Sequence, residues 1–405
     1  MFSQRLHLSE ASCVVLDHLL KHGPAAKSEI CRDIGKSVSA VTRYLQELCD
    51  AGLIVEHGIG DSSGGRKPVL YTVHSQGFYI CCVNVSTIYC EVAVVDLSLD
   101  VLQLDRFAIR AEDTPTQVVE KIGSVFEEQK RAHGLDDQRF LGAGVSVFSS
   151  VKNEQGVLYR PIIRYMNRLW EDFPLVAALE HRLRLPLYVE KGINAAAMLE
   201  YHYGKARGSE KSIYVLCAMN LRAAVIQNGH ITCSSPFYED AFGHMTIDYD
   251  GPKCQCGRYG CVNCYANIPA ILQDFKKNLK RGAGQGSLYE QADELTVYDL
   301  CRAAAEGEPA AVRSIEDAAD MLGIALANFI NLIGPDTVIL DGLLPHECPL
   351  YYDRAVSAAQ KRLMASGSRA VKFEREGRYG NSITIGAAAM LLDRLVRDEP
   401  PTAPR

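Results

Sequence analysis

The densest group of metal-ligating side chains runs from His244 to Cys264, in the stretch HMTIDYDGPKCQCGRYGCVNC. Cysteine thiolates and a histidine nitrogen are the usual donors to tetrahedral zinc. Cys254 and Cys256 stand two positions apart, and Gly257 and Gly260 let the chain turn back to bring Cys261 to the same ion. Redox chemistry stays open as an alternative, because Cys261 and Cys264 form a Cys-x-x-Cys pair. No such pair heads a helix in a thioredoxin-like pattern. The other ten of the fourteen cysteines are scattered through helices, strands and loops, where a reduced thiol behaves as a small core residue.

A second group carries hydrogen-bonding rather than metal chemistry. In SVSAVTRYLQELCDAGLI, Val38, Val41, Tyr44, Leu45 and Leu48 are expected to face a core, with Ser37 or Ser39 as the cap. That leaves Ser39, Thr42 and Arg43 as a polar strip near a helix N-terminus, suited to base edges and phosphates. Two helical stretches precede it. SEASCVVLDHLLKHG places Ala11, Val14, Val15, Leu16, Leu19 and Leu20 on one side, and AAKSEICRDIG spaces Ile30 and Ile34 four apart. Two short helices joined by about three residues are the helix-turn-helix pattern. EHGIGDSSGGRKPVLYTV follows as a β-hairpin with Gly64, Gly65, Arg66 and Lys67 at its tip. A solvated turn in a small helical domain explains the same pattern without DNA.

The elements that must position these groups exceed one domain. At 405 residues the chain is longer than one hydrophobic core usually supports. With 47% hydrophobic and 23% charged residues, its composition is that of a globular protein. No apolar run approaches the roughly 20 residues needed to cross a bilayer, and the first residues do not form a signal peptide. A cytoplasmic protein is expected. The net charge is −6, yet the first seventy residues balance eight basic against eight acidic groups, so the remainder carries the whole excess. Charge alone therefore does not establish DNA binding; the position of the basic groups must.

From residue 78 the chain reads as β-rich runs, a helix near 114–132, a buried strand in FLGAGVSVFS, and helix, strand and helix in VAALEHRLRLPLYVEKGINAAAMLEYHYG. A hairpin in SIYVLCAMNLRAAVIQNG, a long helix, the strand TVILDG and a last helix ITIGAAAMLLDRL follow. Alternation of this kind implies α/β lobes around mixed sheets.

The helix-turn-helix followed by GRKPVLYTV resembles the winged N-terminal domain of transcriptional regulators of the ROK family (repressors, open reading frames and kinases). The stretch from His244 through Cys-x-Cys-Gly-x-x-Gly-Cys is similar to that family's metal motif, matched at His244, Cys254, Cys256, Gly257, Gly260 and Cys261. The resemblance implies a winged helix-turn-helix over 1–75 and a two-lobed, actin-like, sugar-kinase-like body over 76–397; the Pro-rich, charged end, 398–405, is expected from its composition to be a disordered tail. It implies that residues 37–49 read the operator, Ser37, Ser39, Thr42 and Arg43 among them, and that Arg66 and Lys67 on the wing meet the flanking groove. It further implies one structural zinc per subunit on His244, Cys254, Cys256 and Cys261, with Cys264 outside the set as a buried thiol. Assembly through the body, as a homodimer or a dimer of dimers on a palindromic duplex, belongs to the same implication.

Kinases of the family carry an Asp-x-Gly-Gly turn, a Gly-Thr-Gly-x-Gly turn and a catalytic aspartate in Glu-Asn-Asp-Ala-Asn. The matching residues here are Asn84-Val85-Ser86-Thr87, Ala218-Met219-Asn220-Leu221-Arg222 and Glu190-Lys191-Gly192-Ile193-Asn194. Gly192 cannot act as a base, and side chains fill both phosphate turns. The chain is therefore expected not to be an enzyme. Two family glutamates that contact sugar hydroxyls are replaced by Ala241 and Asn263, while His244 persists. Lys191, Asn194 and His244 remain as candidate contacts for a sugar, a sugar phosphate or an acidic effector, although a solvent-facing Lys191 would need no ligand. The expected function is a DNA-binding repressor of a carbohydrate-related or other catabolic operon. An effector-independent regulator, a protein-interaction module and a cleft enzyme such as a sugar kinase are the alternatives.

Overall fold

The computed structural model describes residues 8–59, 67–149, 151–152, 157–158, 168–232, 241–281, 294–364, 370–375, 377 and 380–397. The chain divides into two compact units, residues 1–199 with 381–405 and residues 200–380.

The first unit opens with three helices, each with a local reason to start and stop. Helix α1, Glu10–His22, begins where the Ser9 hydroxyl accepts the Ser12 N–H at 3.2 Å and ends at Gly23. Strand β1, Ala25–Ala26, leads into α2, Lys27–Ile34, whose Glu29 carboxylate accepts the Ala26 N–H at 2.7 Å. Gly35, with φ +65°, stops α2 in the left-handed region that only glycine adopts cheaply. Helix α3, Val38–Asp50, is capped by Ser37 rather than Ser39. Strands β2, Ile54–Ile59, and β3, Val69–Val73, form an antiparallel sheet with β1 in the order β1-β3-β2. The expected tip of this hairpin, including Arg66, lies outside the described residues.

Val15, Leu16, Leu19, Ile30, Val41, Tyr44, Leu45 and Leu48 form the core of this head, as their spacing predicts. Two expectations fail. Val14 is 49% exposed and Val38 62% exposed. Val38 is the first residue of α3, one turn ahead of the 41-44-45-48 stripe that already fills the core side. Val14 lies off the stripe through Val15, Leu16 and Leu19.

The rest of the first unit is a five-stranded sheet made of β4 (Tyr79–Val85), β5 (Tyr89–Asp96), β6 (Val101–Ala108), β7 (Phe140–Val147) and β10 (Leu187–Lys191). Helix α4, Pro115–His133, joins β6 to β7. A short ribbon of β8 (Val151–Lys152) and β9 (Val157–Leu158) and helix α5, Leu175–Leu183, precede β10. Helix α6, Gly192–His202, leaves β10 directly and crosses the boundary between the units.

The second unit carries its own sheet of β11 (Lys211–Cys217), β12 (Leu221–Gln227), β13 (His230–Ile231), β14 (Thr337–Asp341) and β15 (Lys372–Arg375). Its helices are α7 (Asn263–Ala266), α8 (Ile268–Arg281), α9 (Val297–Ala305), α10 (Pro309–Ile333), α11 (Leu343–Glu347) and α12 (Pro349–Gln360). The chain then returns to the first unit with α13, Ser382–Val396.

The two sheets share one plan. Their orders, β10-β7-β4-β5-β6 and β13-β12-β11-β14-β15, both place an antiparallel meander of three strands beside two parallel strands. In each, the turn between the first two strands occupies the same topological position. Those turns, at 86–88 and 218–220, overlap the two phosphate-turn matches read from the sequence, 84–87 and 218–222. Among the described residues no helix is long and apolar enough to cross a membrane.

Candidate nucleic-acid interface and metal centre

The outward face of α3 follows from its periodicity. With Val41, Tyr44, Leu45 and Leu48 buried, Ser39, Thr42 and Arg43 are exposed together, as expected. Their polar atoms are not equally available. The Ser37 hydroxyl already accepts the Ala40 N–H at 3.3 Å and lies 3.2 Å from the Ser39 hydroxyl. The Thr42 hydroxyl donates to the Val38 carbonyl at 2.8 Å, which leaves its lone pairs for a donor. The Arg43 guanidinium lies 5.2 Å from the Tyr44 ring centroid on an exposed side chain. Lys67, at the start of β3, is exposed. Glu47, on the same helix, was not picked out by sequence. Its carboxylate accepts the Ser12 hydroxyl at 2.6 Å and the Ser9 N–H, joining α3 to the start of α1.

The His/Cys loop closes on itself. Ligand atoms of His244, Cys254, Cys256 and Cys261 all lie within 4.8 Å of one another. His244 Nδ1 is 3.5 Å from Cys254 Sγ, and Cys256 Sγ is 3.7 Å from Cys261 Sγ. Around a tetrahedral ion with metal–sulfur and metal–nitrogen bonds of about 2.3 and 2.05 Å, such pairs sit about 3.5–3.8 Å apart. The donor set and its geometry therefore fit a tetrahedral metal. Gly260 has φ +61°, and a Cβ there would lie 1.5 Å from the Asp248 carbonyl, so the return turn requires glycine. Gly257, at φ +91°, turns the chain between Cys256 and Cys261. Burial opposes ionisation of Cys256, but hydrogen bonds from the Arg258 N–H and the neighbouring thiols outweigh it and hold this thiol below its ordinary value. Cys264 is half-buried on α7 and stands outside the four. At Cys217 burial pushes the thiol up to about 12 and makes it inert.

The two hairpin turns are closed by the chain's own groups. In the first, the Ser86 hydroxyl accepts the Tyr89 N–H at 3.0 Å and donates to the Tyr89 carbonyl at 2.8 Å. Beside it, Asn84 donates to Glu91 at 3.2 Å, and Glu91, its side chain 3% exposed, also accepts from Arg106 and Thr384. In the second, the Leu221 N–H donates to Asn263 at 2.8 Å, and Asn267 donates to the Met219 carbonyl at 3.1 Å. At the end of β10, Glu190 is buried and accepts from Tyr188, the Lys191 N–H and Asn194. Lys191 is only 9% exposed, so the solvent-facing alternative does not hold. Lys191 and Asn194 thus gather around Glu190 in the first unit, while His244 belongs to the second.

Residues 80–394 match the model of the ROK family, and residues 14–55 match a winged helix-turn-helix DNA-binding model. The chain belongs to the ROK family. Among its ROK relatives, the xylose repressor of Bacillus subtilis is 23% identical over 383 residues, covering 95% of each chain. A crystal structure of a ROK family transcriptional regulator, a homologue of the Escherichia coli Mlc protein, superposes with a TM-score of 0.79 at 22% identity over 98% of each chain. The ROK hexokinase of Thermus thermophilus reaches a TM-score of 0.61 at 25% identity, covering 77% of this chain and 97% of its own. The fold class expected from sequence, a winged helix-turn-helix before an α/β sugar-kinase-like body, is the one found.

Against the phosphate turns of ROK kinases, the structure adds a reason to each sequence loss. In each turn an N–H is engaged by the chain's own side chain, that of Tyr89 by Ser86 and that of Leu221 by Asn263. Gly192 stands where those kinases place the catalytic aspartate, and a Cβ there would lie 2.8 Å from Ile383 Cγ2. Sequence spacing could not reveal Glu91, whose partner Thr384 is 293 positions away.

Proposed function

We propose that this ROK protein is a DNA-binding transcriptional repressor with no kinase activity, acting in the cytoplasm on a carbohydrate-related or other catabolic operon. The observation that carries it is the exposed row of Ser39, Thr42 and Arg43 on a helix whose opposite face is buried. The full-length likeness to repressors such as the xylose repressor supports the regulatory role. Arg43 presents a donor fork suited to a guanine edge. Ser39 and Thr42 serve bases or phosphates, and Lys67, with Arg66, serves the backbone beside the wing. Val38, exposed at the tip of the same helix, supplies an apolar contact suited to a thymine methyl. Two such heads in a homodimer or dimer of dimers would read an inverted repeat.

The metal in this reading is zinc, one per subunit and structural, on His244, Cys254, Cys256 and Cys261. All four positions are taken by protein, which leaves none for substrate. The effector is an acidic or phosphorylated small molecule rather than a neutral sugar. The supporting observations are the buried Lys191 and the loss of acceptors at Gly192, Ala241 and Asn263. Asn194 and His244 are the remaining polar candidates.

The deciding experiment titrates the full chain and two variants against duplexes from its gene's upstream region and against scrambled duplexes, at several salt concentrations. Arg43→Ala is expected to cost about 1–3 kcal/mol on the specific duplex and relax preference at one base pair. Lys67→Ala is expected to weaken both duplexes and lower the salt slope by about one. Unchanged affinity in both variants would remove α3 and the wing as the reading surface.

A further inference from the structure

A domain tethered at one point swivels; one held at two points does not. The segment between β3 and β4 is the first attachment. On the head side the His74 N–H donates to the Leu53 carbonyl at 2.8 Å, and its Nδ1 lies 3.2 Å from the Gly52 carbonyl. On the sheet side the Leu97 N–H donates to the Ser75 carbonyl at 3.1 Å, and the Arg139 guanidinium donates to the carbonyls of Gln76 and Gly77. A Cβ on Gly77 would lie 2.5 Å from the Gly52 carbonyl, so the two sides approach to backbone contact.

Helix α1 makes the second attachment. In its last turn, Lys21 Nζ lies 3.4 Å from Asp393 of α13 and 2.6 Å from Asp17 of its own helix. Asp393 is held in turn by Arg397 at 3.0 Å. The side chains of Lys21 and Asp393 are 15% and 11% exposed, so salt screens this pair less than one on the surface. At the other end of α1, Glu47 of the reading helix holds Ser9 and Ser12. A helix of thirteen residues, about 20 Å long, therefore runs as a strut from the reading helix to the last helix of the chain.

That last helix is keyed into the first sheet and the turn bearing Lys191. Ser146 of β7 donates to the Ile383 carbonyl at 2.8 Å. A Cβ on Gly386 would meet the Ala195 backbone at 2.4 Å, and one on Gly192 would meet Ile383. A side chain at either glycine would not fit, so α13 packs directly on this unit's sheet and helix.

We propose that Lys21, Asp393 and Glu47 are positioning residues that fix the reading helix on the first sheet, so that the body rather than a loose tether sets the spacing at which paired heads accept DNA. The inference rests on the DNA-binding reading above. Without the Lys21–Asp393 contact the head turns about residues 74–77 and accepts half-sites at several spacings.

The test selects a half-site from a random duplex pool, then places it in inverted pairs stepped by single base pairs. Each step moves a half-site by about 3.4 Å and rotates it by about 35°. The unmodified full chain is expected to bind one spacing at least about tenfold better than its neighbours, because paired binding is lost where geometry forbids it. Lys21→Met and Asp393→Asn are expected to reduce that preference to below about threefold while leaving single half-site affinity unchanged, which shows that the head is folded. Lys21→Arg should keep the preference. Identical spacing profiles in the unmodified chain and both disrupting variants overturn the proposal. Binding of single half-sites with a flat profile in the unmodified chain overturns it while leaving the DNA-binding reading intact. Failure of the unmodified chain to bind any duplex removes that reading and this inference together.

Discussion

The His/Cys loop and the first hairpin turn hold their polar groups in opposite ways. The loop draws His244, Cys254, Cys256 and Cys261 from one short run of chain, and two glycines fold that run back on itself. The turn is closed by Ser86 locally, but the buried Glu91 beside it is satisfied by Asn84, Arg106 and Thr384, the last 293 residues distant. A site assembled from one segment needs only local geometry. A site assembled from four, as Asn84, Glu91, Arg106 and Thr384 are, needs the whole lobe in place before its members are paired. The first should respond to a metal, and the second to packing.

The largest expected effect lies in the loop. Because a metal bound only by the folded state contributes its binding free energy to folding, Cys256→Ser or Cys261→Ser should destabilise the second unit by on the order of 5 kcal/mol. Metal analysis should show about one zinc per chain in the unmodified protein and a loss in the variants. Full occupancy after replacing Cys254, Cys256 and Cys261 together would break the assignment.

Glu91→Ala should cost less, about 1–3 kcal/mol, because it leaves the Asn84 amide and the Thr384 hydroxyl buried without an acceptor. Chemical denaturation measures this directly. The comparison is sharpened by a double-mutant cycle with Thr384→Val: coupling is expected despite the separation in sequence, and strict additivity would show that the contact carries no energy.

Gly192→Asp restores the carboxylate found in ROK kinases, but the Cβ must displace Ile383, at a cost of about 1–3 kcal/mol. No phosphorylation of a sugar panel with ATP is expected, since both phosphate turns remain closed. Turnover in this variant, or in the unmodified chain, would show that the turns still admit nucleotide.

The smallest effect separates the head from the body. His18 in α1 stacks on His22 at 4.5 Å. Burial, then the neighbouring His22, lowers its pKa from the ordinary 6.5, against the pull of Asp33, Asp17 and Glu29. A depressed histidine favours folding while neutral. Its contribution is therefore complete above pH 6.5 and falls away as the pH drops below that value. Amide exchange in α1 should accelerate on mild acidification while exchange in the second sheet does not, and His18→Gln should flatten the response. Equal acceleration in both regions would place the acid sensitivity elsewhere.

Much of this molecule was legible in the sequence because its determinants are local. The three head helices and the hairpin follow from periodicity bounded by glycines and caps, whereas the strand in FLGAGVSVFS and the last helix, buried on nearly all sides, stand out as continuous apolar runs. The His/Cys cluster was legible for the same reason: its four members and the turn glycines lie within one segment. Periodicity went wrong where a residue sat at the edge of its stripe, as Val14 and Val38 did. It marks a face but does not say how far the packing partner extends along it.

What the sequence by itself determined was the elements of the head and the alternation of the body, the His/Cys cluster, the exposed polar strip on α3 and the loss of kinase residues. Only the tertiary structure decided that Lys191 is buried, that Glu91 meets Thr384 beside the first turn, and that Lys21 reaches Asp393. The last two pair residues from distant segments, and all three depend on how strands order in a sheet and helices lie upon it. Spacing along the chain carries no record of that distance. Burial does, because a charge can leave water only where the fold has already placed its partner.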